Sequence, residues 1–243
     1  MISSFLWALG GTQFIFLMTA LGASLVFFLR SSTPRFQTVL PGFAGGVMTA
    51  ASVWSLLLPA IEQVNAEGRL PAWLPAAAGL ILGALFLTAA DALQGGAGGR
   101  DRMLFTAITL HNIPEGMAVG LAFALAADGE GLAAALALAL GISIQNFPEG
   151  AAVSLPLRQR GMGRGRAFLY GVASGAVEPV FGMLAVGAAA LVHPVMPWLL
   201  SFSAGAMLCV TFHELCPEAA DRPGTLGFIG GFALMMVLDV ALS

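Results

Sequence analysis

The chain has 243 residues, 58% of them hydrophobic and only 9% charged, with a mean hydropathy of +0.89. Soluble domains carry about 25% charged residues, so an ordinary water-facing surface is excluded and lipid must solvate most of the chain. The net charge of −3 comes with no basic run or aromatic–basic patch, which excludes a nucleic-acid partner.

A helix crosses the hydrocarbon core in roughly 20 apolar residues. In chain order, the stretches 5–29, 39–61, 73–93, 103–127, 132–157, 167–191, 196–216 and 225–242 qualify, which predicts an all-α membrane protein of eight transmembrane helices. The first stretch is too long for a secretory signal and no Lys or Arg precedes it. The connections at 31–34, 95–99 and 128–131 are short and rich in turn-forming residues. None holds a second domain, so residues 1–243 read as a single transmembrane transporter domain. Cys209 and Cys216 lie seven apart in one apolar segment. On one helix they cannot bridge each other and read as small buried hydrophobes.

All ten basic residues are arginine. Arg30 and Arg35 follow the first span, Arg100 and Arg102 the third, Arg158, Arg160, Arg164 and Arg166 the fifth, and Arg222 the seventh. Only Arg69 falls on the other side. The positive-inside rule then places the arginine loops in the cytoplasm and both termini outside, as expected in a bacterial inner membrane.

The fourth and fifth spans are near copies. A shift of 34 residues aligns His111 with Gln145 and matches Ile108, Asn112, Pro114, Glu115, Gly116, Ala118, Val119 and Leu121 to identical residues. The second and seventh spans echo each other through Phe43, Gly46 and Met48 against Phe202, Gly205 and Met207. Both pairs run in opposite directions across the membrane. The expectation is an inverted repeat of helices 1–3 and 6–8 around the helix 4/5 pair, the design of secondary transporters that bind substrate near midplane.

An ionisable group at mid-membrane costs on the order of 3 kcal/mol, so each one found there needs a reason. His111 and Glu115 are spaced i and i+4 on one helix face, with Asn112 beside them. Gln145, Asn146 and Glu149 repeat the arrangement, and Glu178 falls near the middle of the sixth span. A compact dication accounts for this set: carboxylates supply charge, imidazole a borderline-soft nitrogen, and carboxamides further oxygens. His111 favours zinc, with cadmium, iron, manganese and cobalt as further candidates, over the all-oxygen cages of calcium or magnesium. Pro114 and Pro148 are expected to kink their helices and to free the carbonyls of Leu110 and Ile144 for an ion or water. Gly116 and Gly150 should permit close helix contact. An intramembrane metallohydrolase would need more histidines than the one at midplane, whereas a passive metal-selective channel would use the same ligands as a carrier.

His111-Asn112-Ile113-Pro114-Glu115-Gly116 and Gln145-Asn146-Phe147-Pro148-Glu149-Gly150 resemble the paired signatures of the ZIP family of divalent metal transporters, nearest its bacterial GufA-like branch. The resemblance covers the whole chain. It implies a homodimer without enzymatic activity that moves metal into the cytoplasm. One site would comprise His111, Glu115, Gln145 and Glu149, and an adjacent one Asn112, Glu115, Asn146, Glu149 and Glu178. Asn146 stands where some relatives carry aspartate, leaving the second site one charge poorer. Asp91, His213 and Glu214 resemble residues of the family's exit route. The loop from Gln94 to Arg102 lacks the histidines many relatives carry, which argues against a loop-based metal sensor. His193 reads as incidental and Asp239 as a helix–helix hydrogen bond.

Overall fold

The computed structural model describes residues 2–29, 34–94, 99–126 and 131–242; these are helical, with no strand among them. Helix α1 spans Ile2–Ala23 and continues after Ser24 as Leu25–Phe28. At the break the Ser24 hydroxyl donates to the Leu21 carbonyl at 2.6 Å, competing with the helix ladder. Helix α2 runs through Pro34–Ala51, a π-helical stretch Ser52–Leu57, and Leu58–Glu67. Helices α3 (Trp73–Gln94), α4 (Gly99–Leu125) and α5 (Leu132–Gln159) follow. Helix α6 consists of Arg164–Gly175 and Val177–Gly187, and α7 of Met196–Val210, a π-helical stretch Thr211–Leu215, and Cys216–Glu218; α8 is Arg222–Leu242.

Prolines explain the irregular turns. Each π-helical stretch ends two residues before a proline, Pro59 or Pro217, whose missing N–H and bulky ring loosen the preceding turn. Pro179 likewise cannot donate to the Gly175 carbonyl, and α6 breaks at Ala176, placing Glu178 in the first turn of its second segment. By contrast, α4 and α5 continue unbroken through Pro114, Pro148 and Pro156.

Among the described residues, seven segments are long and apolar enough to cross a membrane. The expected fourth span is not one of them. Helix α4 is long enough at 27 residues, but Arg100, Asp101, Arg102, His111, Asn112 and Glu115 lower its hydropathy.

The helices sort by packing into two groups. In one, α1 lies along α5 and α4 along α6, with α1 also touching α4 and α6; in the other, α2 lies along α8 and α3 along α7. The groups meet where α4 faces α7 and α2 faces α5. Glycines set the closest approaches within the first group. A Cβ on Gly116 would strike the backbone of Glu178, and one on Gly150 the carbonyl of Thr19, so both glycines serve the close contact expected of them. Cys209 and Cys216 are free thiols.

Candidate metal centre on helices α4 and α5

The i, i+4 spacing on α4 puts His111 and Glu115 on one face, and the fifth-helix copy brings Glu149 to meet them. His111 Nε2 lies 3.1 Å from Glu115 Oε1 and 3.2 Å from Glu149 Oε1. All three residues are buried, and their ligand atoms lie within 4.8 Å of one another. Two carboxylates and an imidazole thus share a buried pocket, an arrangement that favours a bound cation.

The amides beside this cluster are oriented by their own hydrogen bonds. Asn112 Nδ2 donates to the Ser174 carbonyl at 2.8 Å. Asn146 Nδ2 donates to Glu178 Oε1 at 3.0 Å and to the Ile15 carbonyl at 3.5 Å. Gln145 Nε2 donates to Asp239 Oδ1. Each amide nitrogen is committed to protein, which leaves its oxygen as the remaining polar atom. Among the described residues, all three oxygens are buried without a hydrogen-bond partner, as are Glu149 Oε2, Glu178 Oε2 and Asp239 Oδ2. Buried acceptors are normally satisfied. A set of unpaired oxygens of this kind, beside an imidazole, is a donor set that could hold a cation.

Glu178 belongs to the adjacent group. Its Oε1 accepts from Asn146 and, at 3.1 Å, from Thr19 Oγ1. Asp239 on α8 does make helix–helix hydrogen bonds, accepting from Gln145 and, at 2.8 Å, from Ser55 Oγ in the α2 π-helical stretch. It is a neighbour of the centre that sequence reasoning left outside it, although an ionisable residue within an apolar span was the available signal.

One expectation is corrected. The Leu110 carbonyl, expected to stand free after Pro114, is instead taken by Ser203 Oγ on α7, which donates to it at 2.9 Å.

The two sides of the centre differ. A cavity of about 600 Å³ reaches from Gln63 and His193 down to Glu115, Gln145 and Asp239. His193, read as incidental, lines its mouth, with Nδ1 3.5 Å from Glu67 Oε1 and its carbonyl accepting from Gln63 Nε2 at 2.7 Å. On the opposite, arginine-rich side, Met48, Ile108, Ala152 and Met207 close over His111 and Glu149, leaving no room for water.

The residues compared with an exit route lie apart from this centre. Glu214 is buried in the α7 π-helical stretch, 3.5 Å from Arg160 Nη2. His213 is 65% exposed, with Nδ1 3.6 Å from Glu214 Oε1. The side chain of Asp91 falls outside the described residues, as do positions 95–98 of the loop that follows it. Arg160 itself counted in the sequence only towards topology; its partners on α4 and α7 could not be read from spacing.

The family model described as ZIP zinc transporter matches residues 96–239. The zinc transporter GufA of Myxococcus xanthus is 40% identical, the match covering 92% of this chain and 94% of the relative. The zinc transporter ZIPB of Bordetella bronchiseptica is 39% identical over 93% of this chain and 78% of the relative. The human zinc transporter ZIP11 is 34% identical over 99% and 98%.

Proposed function

The chain belongs to the ZIP family of zinc transporters, within its GufA-like group, and from that premise we propose that it carries zinc into the cytoplasm through the α4–α5 centre. It is a transporter and not an enzyme. The observation that carries the reading is the mutual approach of the ligand atoms of His111, Glu115 and Glu149, all buried, within 4.8 Å.

In this account the ion enters by the 600 Å³ cavity and sheds water against Glu115 and the oriented oxygen of Gln145. Glu115 and Glu149 supply the compensating charge and His111 the nitrogen ligand. Asn112, Asn146 and Glu178 form an adjacent second stop that shares both glutamates. From there the ion passes towards Glu214. A cavity on one side and an apolar seal on the other favour alternating access over a passive channel.

All of α1 to α8 span the membrane in this reading, α4 included, because its polar residues line the path instead of facing lipid. The termini lie outside a bacterial inner membrane and the arginine-rich loops lie inside. Exchanging helices 1–3 with 6–8 and α4 with α5 turns the α1–α5 pair into α6–α4, and the α2–α8 pair into α7–α3. Those are the four principal pairings of the fold, which supports an inverted repeat within a single transmembrane unit.

Purified protein in liposomes tests the proposal. Wild type is expected to take up zinc saturably and Glu149→Gln to show no uptake above empty liposomes. Equal uptake by the two would contradict it.

A further inference from the structure

At the arginine-rich end, Arg160 follows the last turn of α5 and is 14% exposed. Its Nε donates to Glu218 Oε1 at 3.0 Å, its Nη1 to Asp101 Oδ1 at 3.4 Å, and its Nη2 lies 3.5 Å from Glu214 Oε2. Asp101 belongs to the first turn of α4, Glu214 to the π-helical stretch of α7, and Glu218 to its last turn. One guanidinium therefore ties together three helix ends, two from the α1–α4–α5–α6 group and one from the other group.

We propose that Arg160 is the latch of this end: a tethered cation that holds the carboxylates of Asp101, Glu214 and Glu218 and thereby keeps the seal over His111 and Glu149 shut until it lets go. The inference rests on the proposed path only in assigning the latch to metal exit. A further cation would compete with the guanidinium for these three carboxylates. A guanidinium stays protonated in proteins, so it cannot yield its place by losing charge. It has to move, and an arriving dication, which satisfies the same carboxylates with twice the charge, supplies the reason to do so. Release of Arg160 removes the tie between α5 and α7, and with it the constraint that presses Met207 of α7 against His111 and Glu149 of the other group.

The test is the access of water to Met207, which is 1% exposed here. Met207→Cys is introduced with Cys209→Ala and Cys216→Ala, and a membrane-impermeant maleimide is applied to the arginine-rich face of proteoliposomes in zinc-free buffer. Arg160→Gln and, separately, the double variant Asp101→Asn/Glu218→Gln are each expected to raise the labelling rate about tenfold, as a two-state equilibrium shifts when one stabilising contact is lost. The double variant removes carboxylates, so an effect of stranded, mutually repelling acids would appear with Arg160→Gln alone. An increase confined to Arg160→Gln overturns the latch, and so does an unchanged rate in either folded variant. Because zinc is absent, failure of the metal path would leave these rates untouched and would show only in uptake.

Discussion

His111 on α4 and Glu149 on α5 meet at 3.2 Å, Nε2 to Oε1, joining the two copies of the repeated motif across the helix pair. Neither copy holds the centre alone. The first supplies imidazole and Glu115, and the second supplies Glu149 and the amide of Gln145.

Loss of charge should therefore matter more than loss of an amide. Glu115→Ala or Glu149→Ala leaves a dication undercompensated in a buried pocket and is expected to abolish zinc uptake by folded protein. Asn146→Ala should retain much of it, and Asn146→Asp should hold metal more tightly while turning over more slowly. Uptake and bound-metal stoichiometry on the purified variants check all four.

Asp239 is expected to act through Gln145. By accepting from Gln145 Nε2, it leaves the amide oxygen for the ion and adds negative charge beside the cavity. Asp239→Asn should raise the zinc concentration for half-maximal uptake about tenfold, the change for roughly 1.4 kcal/mol, with a smaller change in maximal rate. An unchanged half-saturation would reduce Asp239 to a packing role.

Much of the centre was legible in the sequence because its signals are local. The i, i+4 pair of His111 and Glu115 and its 34-residue copy pick out His111, Glu115 and Glu149 without knowledge of the fold, and the structure brings these three together. What was not legible depended on distant partners. Asp239 reaches Ser55, 184 positions away, and Gln145, 94 away, and no spacing rule links them. The Leu110 carbonyl, expected to be left free by Pro114, is taken up by Ser203, 93 positions on. Arg160 is similar, since its three acidic partners converge only when α4, α5 and α7 pack. The sequence count of eight spans included 103–127, but α4 falls short of a span's hydropathy because Arg100, Asp101, Arg102 and the residues of the proposed centre, His111, Asn112 and Glu115, make it polar.

Gly150 and Gly116 should tolerate no side chain. A Cβ at Gly150 would meet the Thr19 carbonyl on α1, and at Gly116 the backbone of Glu178 on α6. Gly150→Val or Gly116→Val is expected to cost about 3 kcal/mol through overpacking and to lower the thermal midpoint in detergent. Gly163→Val, where a Cβ meets nothing within 4 Å, is the control and should leave it unchanged.

Orientation follows from the arginine distribution. A tag at Met1 or Ser243 should be reached by a protease outside intact cells, and one between Arg160 and Arg164 should be protected. The reverse pattern would invert the direction of transport.

The central claim is that one dication sits among His111, Glu115 and Glu149. Its most direct test is X-ray absorption at the zinc edge on purified protein loaded with one equivalent of zinc. The account predicts a shell of oxygen and nitrogen ligands with an imidazole contribution that disappears in His111→Ala, and loss of stoichiometric zinc in Glu149→Gln. An unchanged spectrum in His111→Ala, or full zinc retention in Glu149→Gln, would place the ion elsewhere and contradict the centre described here.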